Sequence, residues 1–277
     1  MLITTSILTE LPAVTLIVIV FVAVVVGLLI GSVGVGGILL VPALIYLAGI
    51  DIHIAIASCL FSYAFSGLIG AWLYARQGSI RWLSGFWLCA GAMPGAWLGA
   101  TLVNQLPSDW VILIIASCII FAAYNSIRAE RSKTNKSVVN KSAGDKESSM
   151  GFDSPIPLLV IGLATGTGSA LSGSGGPLIL VPVLVWLNWP VLTAVGLGQL
   201  IQLPVSLLAD VANVRAGTID IPLGLCIAAT VTAGVAIGAR IAHRQPAALL
   251  RKVVIAALLF AASWMIFHSG AGLLASA

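Results

Sequence analysis

Gly31-Ser-Val-Gly-Val-Gly-Gly-Ile-Leu-Leu-Val-Pro42 sits inside a long apolar run, and a second version, Ser172-Gly-Ser-Gly-Gly-Pro-Leu-Ile-Leu-Val-Pro182, sits inside another. Clustered glycines interrupt a helix and expose backbone N–H groups. Against lipid those groups would stay unsatisfied, at a cost of several kcal/mol each. Both interruptions must therefore face protein or a polar cavity that holds water or a ligand.

The rest of the chain agrees with a membrane setting. Of 277 residues, 60% are hydrophobic and 8% charged, with a mean hydropathy of +1.12. This composition predicts an all-α polytopic membrane protein. The runs are too long and unbroken for barrel strands, which alternate over about ten residues. Glu10 is the only charge before residue 51, so residues 11–30 read as a retained helix and not a cleaved leader. The net charge of +4 bears on orientation, not on nucleic acid, and no nucleic-acid partner is expected. Cys59, Cys89, Cys118 and Cys226 are scattered through apolar runs and read as small hydrophobes.

Working outward from the first break, the spacing predicts apolar segments at 11–30, 38–48, 54–75, 82–103 and 110–127. The second of these makes only about 16 Å of helix, short of a ~30 Å hydrocarbon core. It is either a span of its own or half of a re-entrant hairpin. Residues 128–153 mix Lys, Arg, Glu, Asp, Ser and Asn, and read as a polar linker. Three regions follow: an N-terminal membrane repeat at 1–127, the linker at 128–153 and a C-terminal membrane repeat at 154–277.

The halves repeat at an offset of about 139 residues. Arg76-Gln-Gly-Ser-Ile80 matches Arg215-Ala-Gly-Thr-Ile219, Gly95 to Ala100 matches Gly234 to Ala239, and Pro107 matches Pro246. With the glycine breaks this marks an internal duplication. Lys and Arg favour the cytoplasmic side. Placing the linker there leaves only Arg215 of all Lys and Arg residues outside. That requires an odd number of crossings per half, an inverted repeat of about 8–10 segments, and both termini outside.

Inverted repeats with broken helices hold substrate near the midplane. Here the two short helices would begin at the breaks and turn their free N–H groups and positive dipole ends toward the centre. Such a pair attracts an anion without a buried cation. Ser172 or Ser174 is expected to cap the second start, with Pro177 in its first turn. The candidate binding set is Ser32, Gly34, Gly36, Gly37, Ser58, Ser172, Ser174, Gly175, Gly176, Gln199 and Gln202. Gln199 and Gln202 share a helix face, as do Ser58, Ser62 and Ser66. Such rows line a pathway or knit helices together. Asp210 is a candidate coupling group, unless it pairs with Arg215.

Other features have plainer readings. Gly95/Gly99 and Gly234/Gly238 are small-residue packing pairs. Arg240 is an interface snorkeller. Trp72, Trp82, Trp110 and Trp189 suit an aromatic belt. His53 and His268 receive no metal or proton role. No serine-hydrolase, zinc-protease or nucleotide-binding motif is present in the sequence, so neither an enzyme nor an ATP-driven pump is expected, and no cofactor or metal site is assigned. A carrier of another solute such as a metal ion, and a non-transporting assembly subunit, stay as alternatives.

Two halves, each with a Gly-x-Gly-Gly break, an apolar run with Val-Pro, an Arg-x-Gly-x-Ile-type turn and a Gly-x-x-x-Gly-Ala helix, resemble the TauE/SafE sulfite-exporter family, also called toluenesulfonate uptake permeases. The resemblance covers nearly the whole chain outside the linker. It implies a secondary transporter in a bacterial-type inner membrane, moving small organosulfur anions such as sulfite, sulfoacetate or aryl sulfonates. It also implies seven or eight spans, against the ten segments counted from charge. The anion, the direction, a proton or sodium coupling ion, and a homodimer are left open.

Overall fold

A computed structural model describes residues 7, 11–34, 36–115, 117, 154–187 and 189–244. Among them the ordered elements are all helical. We number the helices α1 (Ala13–Val33), α2 (Leu40–Ala48), α3 (Ile52–Arg76), α4 (Trp82–Val103), α5 (Pro155–Ser172), α6 (Pro177–Trp186), α7 (Val191–Ala216) and α8 (Ile221–Ala242). A 3₁₀ turn, Gly37–Leu39, leads into α2. Residues 108–115 are also helical. Six of these helices, all but α2 and α6, are long and apolar enough to cross a membrane.

Helix ends follow local chemistry. Asp51 caps α3 by accepting from the His53 N–H at 2.9 Å. Asp220 caps α8 by accepting from the Leu223 N–H at 3.0 Å. These carboxylates satisfy N–H groups that a helix start otherwise leaves open. α1 and α5 each stop at a left-handed glycine, Gly34 (φ 76°) and Gly173 (φ 64°). A side chain there is strained, so helix continuation is disfavoured at both positions.

Contacts distant in sequence define the two ends of the bundle. At one, the Ile7 N–H donates to Asp220, His53 Nε2 lies 3.1 Å from the Leu106 carbonyl, and Asn104 Nδ2 donates to Asn213 Oδ1 at 2.9 Å. We call it the aspartate end, since Asp51 and Asp220 lie there; Arg215 lies there too. At the other, Arg81 sits over the Trp189 ring, and His243 contacts the Tyr74 ring and Ser79. Arg76, Arg81 and Arg244 make it the arginine end.

α1 leaves the aspartate end, reaches Tyr74 near the arginine end, and the chain turns back through α2. The first two predicted segments are therefore a full-length helix and a short return helix, entering and leaving at one end. α5 and α6 form the opposite hairpin, from the arginine end. α3 and α7 cross between them antiparallel, since Gly67 meets Gln202 and Leu203 while Gly70 meets Gln199.

Glycine contacts hold the halves together. A Cβ on Gly27 or Gly31 of α1 would fall 2.3 Å from the carbonyl oxygen of Val231 or Val235 on α8, and one on Gly234 or Gly238 would strike α1 in turn. α4 and α5 pack the same way through Gly91, Gly95, Gly99, Gly162 and Gly166. The predicted packing role of Gly95/Gly99 and Gly234/Gly238 is thus observed. In lipid, where apolar burial drives little association, this close backbone approach is the source of dispersion contact.

Some expectations need correction. Trp189 is buried, 9% exposed, under the Arg81 guanidinium, and is not part of a lipid-facing belt; Trp72, Trp82 and Trp110 are exposed. Asp210 makes no ion pair with Arg215, whose guanidinium lies 5.0 Å over the Trp97 ring. Cys59, Cys89 and Cys226 are free thiols. Cys118, the linker, His268 and most of the 110–127 segment lie outside the described residues.

Candidate functional site

The two breaks meet at the centre. A Cβ added to Gly37 would lie 2.5 Å from the Ser174 carbonyl oxygen. The flanks contact reciprocally: Gly34 abuts the Val181 side chain of α6, and Gly173 abuts Val41 of α2. Each hairpin tip is therefore seated against the other half's Val-Pro helix.

Gly175 (φ 81°) and Gly176 (φ 125°) carry the second break, and the Tyr63 ring fills the space a Gly175 side chain would need. α6 starts at Gly176 without a side-chain cap. The expected capping by Ser172 or Ser174 is not found. Ser172 Oγ instead lies 2.7 Å from the Gly168 carbonyl, a donation back into its own helix, and 2.9 Å from Ser174 Oγ. Ser32 likewise turns back toward the Leu29 carbonyl at 3.5 Å. Back-bonding of this kind is the local alternative to capping. All three serines are buried.

Three carbonyls around the first break are covered by side chains. Ile30 O accepts from the Gly34 N–H and from Gln199 Nε2, each at 2.9 Å. Gly31 O accepts from the Tyr74 hydroxyl at 2.9 Å, and Gly37 O from the Tyr63 hydroxyl at 2.7 Å. The N–H groups of Gly36, Gly37, Gly175 and Gly176 have no acceptor among the described residues. The breaks thus offer four N–H donors, and the carbonyls of Ile30, Gly31 and Gly37 beside them are engaged.

Gln202 ties α7 to α3, its Nε2 donating to Ser66 Oγ at 2.9 Å and to Tyr63 O at 3.2 Å. Gln199 Oε1, Gln202 Oε1 and Ser58 Oγ are buried and unpartnered. Ser62 donates to Cys59 O at 2.7 Å. The structure therefore joins Gly34, Gly37, Ser174, Gly175, Gly176, Gln199 and Gln202 around one centre. Ser58 lies on α3 beyond Tyr63, and Asp210 two turns along α7 from Gln202, both toward the aspartate end. No group of three or more His, Cys, Asp or Glu that could hold a metal occurs among the described residues.

Sequence reasoning missed Tyr63 and Tyr74. Both are fully buried, with the Tyr63 hydroxyl on Gly37 O of the 3₁₀ turn and the Tyr74 hydroxyl on Gly31 O near the end of α1. The available signal was a tyrosine in the middle, or near the end, of an apolar span, where its O–H needs a partner.

A family model described as sulfite exporter TauE/SafE matches residues 19–265. A relative from Bacillus subtilis (strain 168), a probable membrane transporter protein YdhB, is 25% identical over 230 residues, covering 82% of this chain and 91% of that protein. No solved structure matches significantly. The chain belongs to the TauE/SafE family of membrane transporters.

Proposed function

We propose that this member of the TauE/SafE family is a secondary transporter of small sulfur oxyanions, sulfite or sulfonates, held at the meeting point of the two breaks. One observation carries the reading: the N–H groups of Gly36, Gly37, Gly175 and Gly176, which have no acceptor among the described residues, gather where the two breaks meet, beside the engaged carbonyls of Ile30, Gly31 and Gly37. Helix starts with open N–H groups favour anions. Ser32, Gly34, Ser58, Ser172, Ser174, Gln199 and Gln202 complete the candidate lining.

Movement follows from the architecture. The hairpins enter from opposite ends, and α3 crosses its counterpart α7 antiparallel, which supports an inverted repeat at 1–127 and 154–277. Alternating access is then a rocking of these related units about the centre. On the positive-inside rule we assign the arginine end, and from the sequence the linker, to the cytoplasm of a bacterial-type inner membrane, and the aspartate end and both termini to the outside. An interior negative potential favours export of an uncoupled anion by about 2.3 kcal/mol per charge per 100 mV.

The test is thermal stability of purified protein against sulfite, sulfoacetate, taurine, toluenesulfonate, thiosulfate, sulfate and chloride, followed by flux in proteoliposomes. A ligand at a hundred times its dissociation constant stabilises by about 2.7 kcal/mol. A shift with one sulfur oxyanion, lost in Gly175→Leu, supports the site. A shift only with a metal ion, or no flux of any anion with stable co-purification of a partner, overturns it.

A further inference from the structure

Gln199, Gln202, Ser206, Asp210 and Asn213 follow one another along α7 at steps of three or four residues, so they share a face. Each holds a buried polar atom with no hydrogen-bond partner: Gln199 Oε1, Gln202 Oε1, Ser206 Oγ, Asp210 Oδ1 and Asn213 Nδ2. Gln199, Gln202 and Ser206 are fully buried and Asn213 is 1% exposed. Buried polar atoms are normally paired, and a row of exceptions on one helix is what a chain of water satisfies. The row begins beside the breaks, where Gln202 bonds to Tyr63, and ends at the aspartate end, where Asn213 accepts from Asn104.

The chemistry of the row discriminates between occupants. Amide oxygens accept, the Ser206 hydroxyl does both, and Asn213 Nδ2 only donates. Water meets such a mixture; a sodium ion, which takes oxygen ligands alone, is repelled by the Asn213 N–H. Asp210 is the single ionisable group in the row. Of the helices packed against α7, α1, α5 and α6 carry no titratable side chain and α4 carries Cys89. α3 carries His53, Cys59, Tyr63, Tyr74 and Arg76. Asp210 Oδ1 bonds to none of these, and Arg215 of α7 itself is engaged by Trp97.

We infer that this face of α7 is a water-filled proton path from the aspartate end to the break centre, with Asp210 as its one protonatable station. A proton from water at the aspartate end binds an Asp210 carboxylate oxygen and cancels its charge, then leaves to water on the Gln202 side and restores the carboxylate. The inference rests on the transport reading for its purpose, which is coupling, but its test needs no transported anion.

Two measurements decide it. In a background with all four cysteines replaced by alanine, Ser206→Cys is treated with a membrane-impermeant thiol reagent from the aspartate end. The lipid-facing Leu207→Cys, at a position 51% exposed to the surroundings of the bundle, is the control. Thiols react as thiolates, which require water, so Ser206→Cys is expected to react about tenfold faster or more. Infrared difference spectra on acidification, taken from the full chain in lipid nanodiscs, are expected to show a protonated-carboxyl band. Asp210→Asn removes that band, while Asp51→Asn and Asp220→Asn retain it. Equal reactivity of the two cysteines, or a spectrum unchanged by Asp210→Asn, overturns the proposal even if sulfite transport is established. Absence of sulfite flux with both expected results overturns the substrate reading and leaves the path standing.

Discussion

Gln202 Nε2 donates to the Tyr63 carbonyl at 3.2 Å, and the two residues are 139 positions apart, the offset at which the halves repeat. Positions matched by the sequence repeat thus touch each other. Tyr63 also reaches both breaks, with its hydroxyl on Gly37 O and its ring against Gly175. The pair joins the crossing of α3 and α7 to both hairpin tips.

Replacing Gln202 with leucine removes two donations from one amide, to Tyr63 O and Ser66 Oγ. Losing a buried bond of this sort costs about 1–3 kcal/mol. The expected outcome is a lower melting temperature in detergent together with lower sulfite flux. Unchanged melting and flux would separate the crossing from the site.

Tyr63→Phe keeps the ring packed on Gly175 and deletes only the O–H on Gly37 O. That carbonyl still accepts from the Leu40 N–H, so the stability cost is expected near 1 kcal/mol. The larger effect is expected in sulfite KM, because the first break loses its lateral tether. A titration of flux against sulfite concentration reads this directly.

Two glycine substitutions should part company. A Cβ on Gly31 falls 2.3 Å from the Val235 carbonyl oxygen, whereas one on Gly78 meets nothing within 4 Å. Gly31→Ala must force two helix backbones apart, costing roughly 1–3 kcal/mol. Gly78→Ala carries only the strain of φ 68°, about 1–2 kcal/mol. Thermal melting is expected to fall further for Gly31→Ala, with loss of folded yield.

Gly37→Ala tests the contact between the tips. Its methyl would lie 2.5 Å from the Ser174 carbonyl oxygen, a backbone atom. Loss of sulfite-dependent stabilisation is expected even where expression persists. Retained stabilisation would place the anion elsewhere.

Glycine patterns made the breaks and the packing role of Gly95/Gly99 and Gly234/Gly238 legible in the sequence, though not that α4 meets α5 and α8 meets α1 there. Backbone conformation and close approach constrain residue type at both, and Gly is nearly the only solution. The 82–103 segment matched α4 at both bounds, because Arg81 and Asn104 bracket it with polar groups. Local bonding was not legible. Ser172 and Ser174 have the residue type of a cap, yet Gly176 takes that place and Ser172 turns to Gly168 O. A serine's choice between cap and back-bond depends on the turn before it, which the sequence pattern does not specify. The sequence left Asp210 open between pairing with Arg215 and standing free; the ring of Trp97, distant in the chain, engages Arg215.

The seam between α1 and α8 also bears on how the protein is made. α1 ends at Val33 and its partner begins at Ile221. At synthesis rates of about 5–20 residues per second that separation corresponds to roughly ten to forty seconds. Throughout that interval the glycine face of α1, with Gly27 and Gly31, is inserted but lacks the helix that closes over it. The α1–α8 seam therefore cannot close until the last described helix emerges from the ribosome, so the first helix made is among the last to gain its partner, and a nascent chain halted in the linker holds its first helix in waiting.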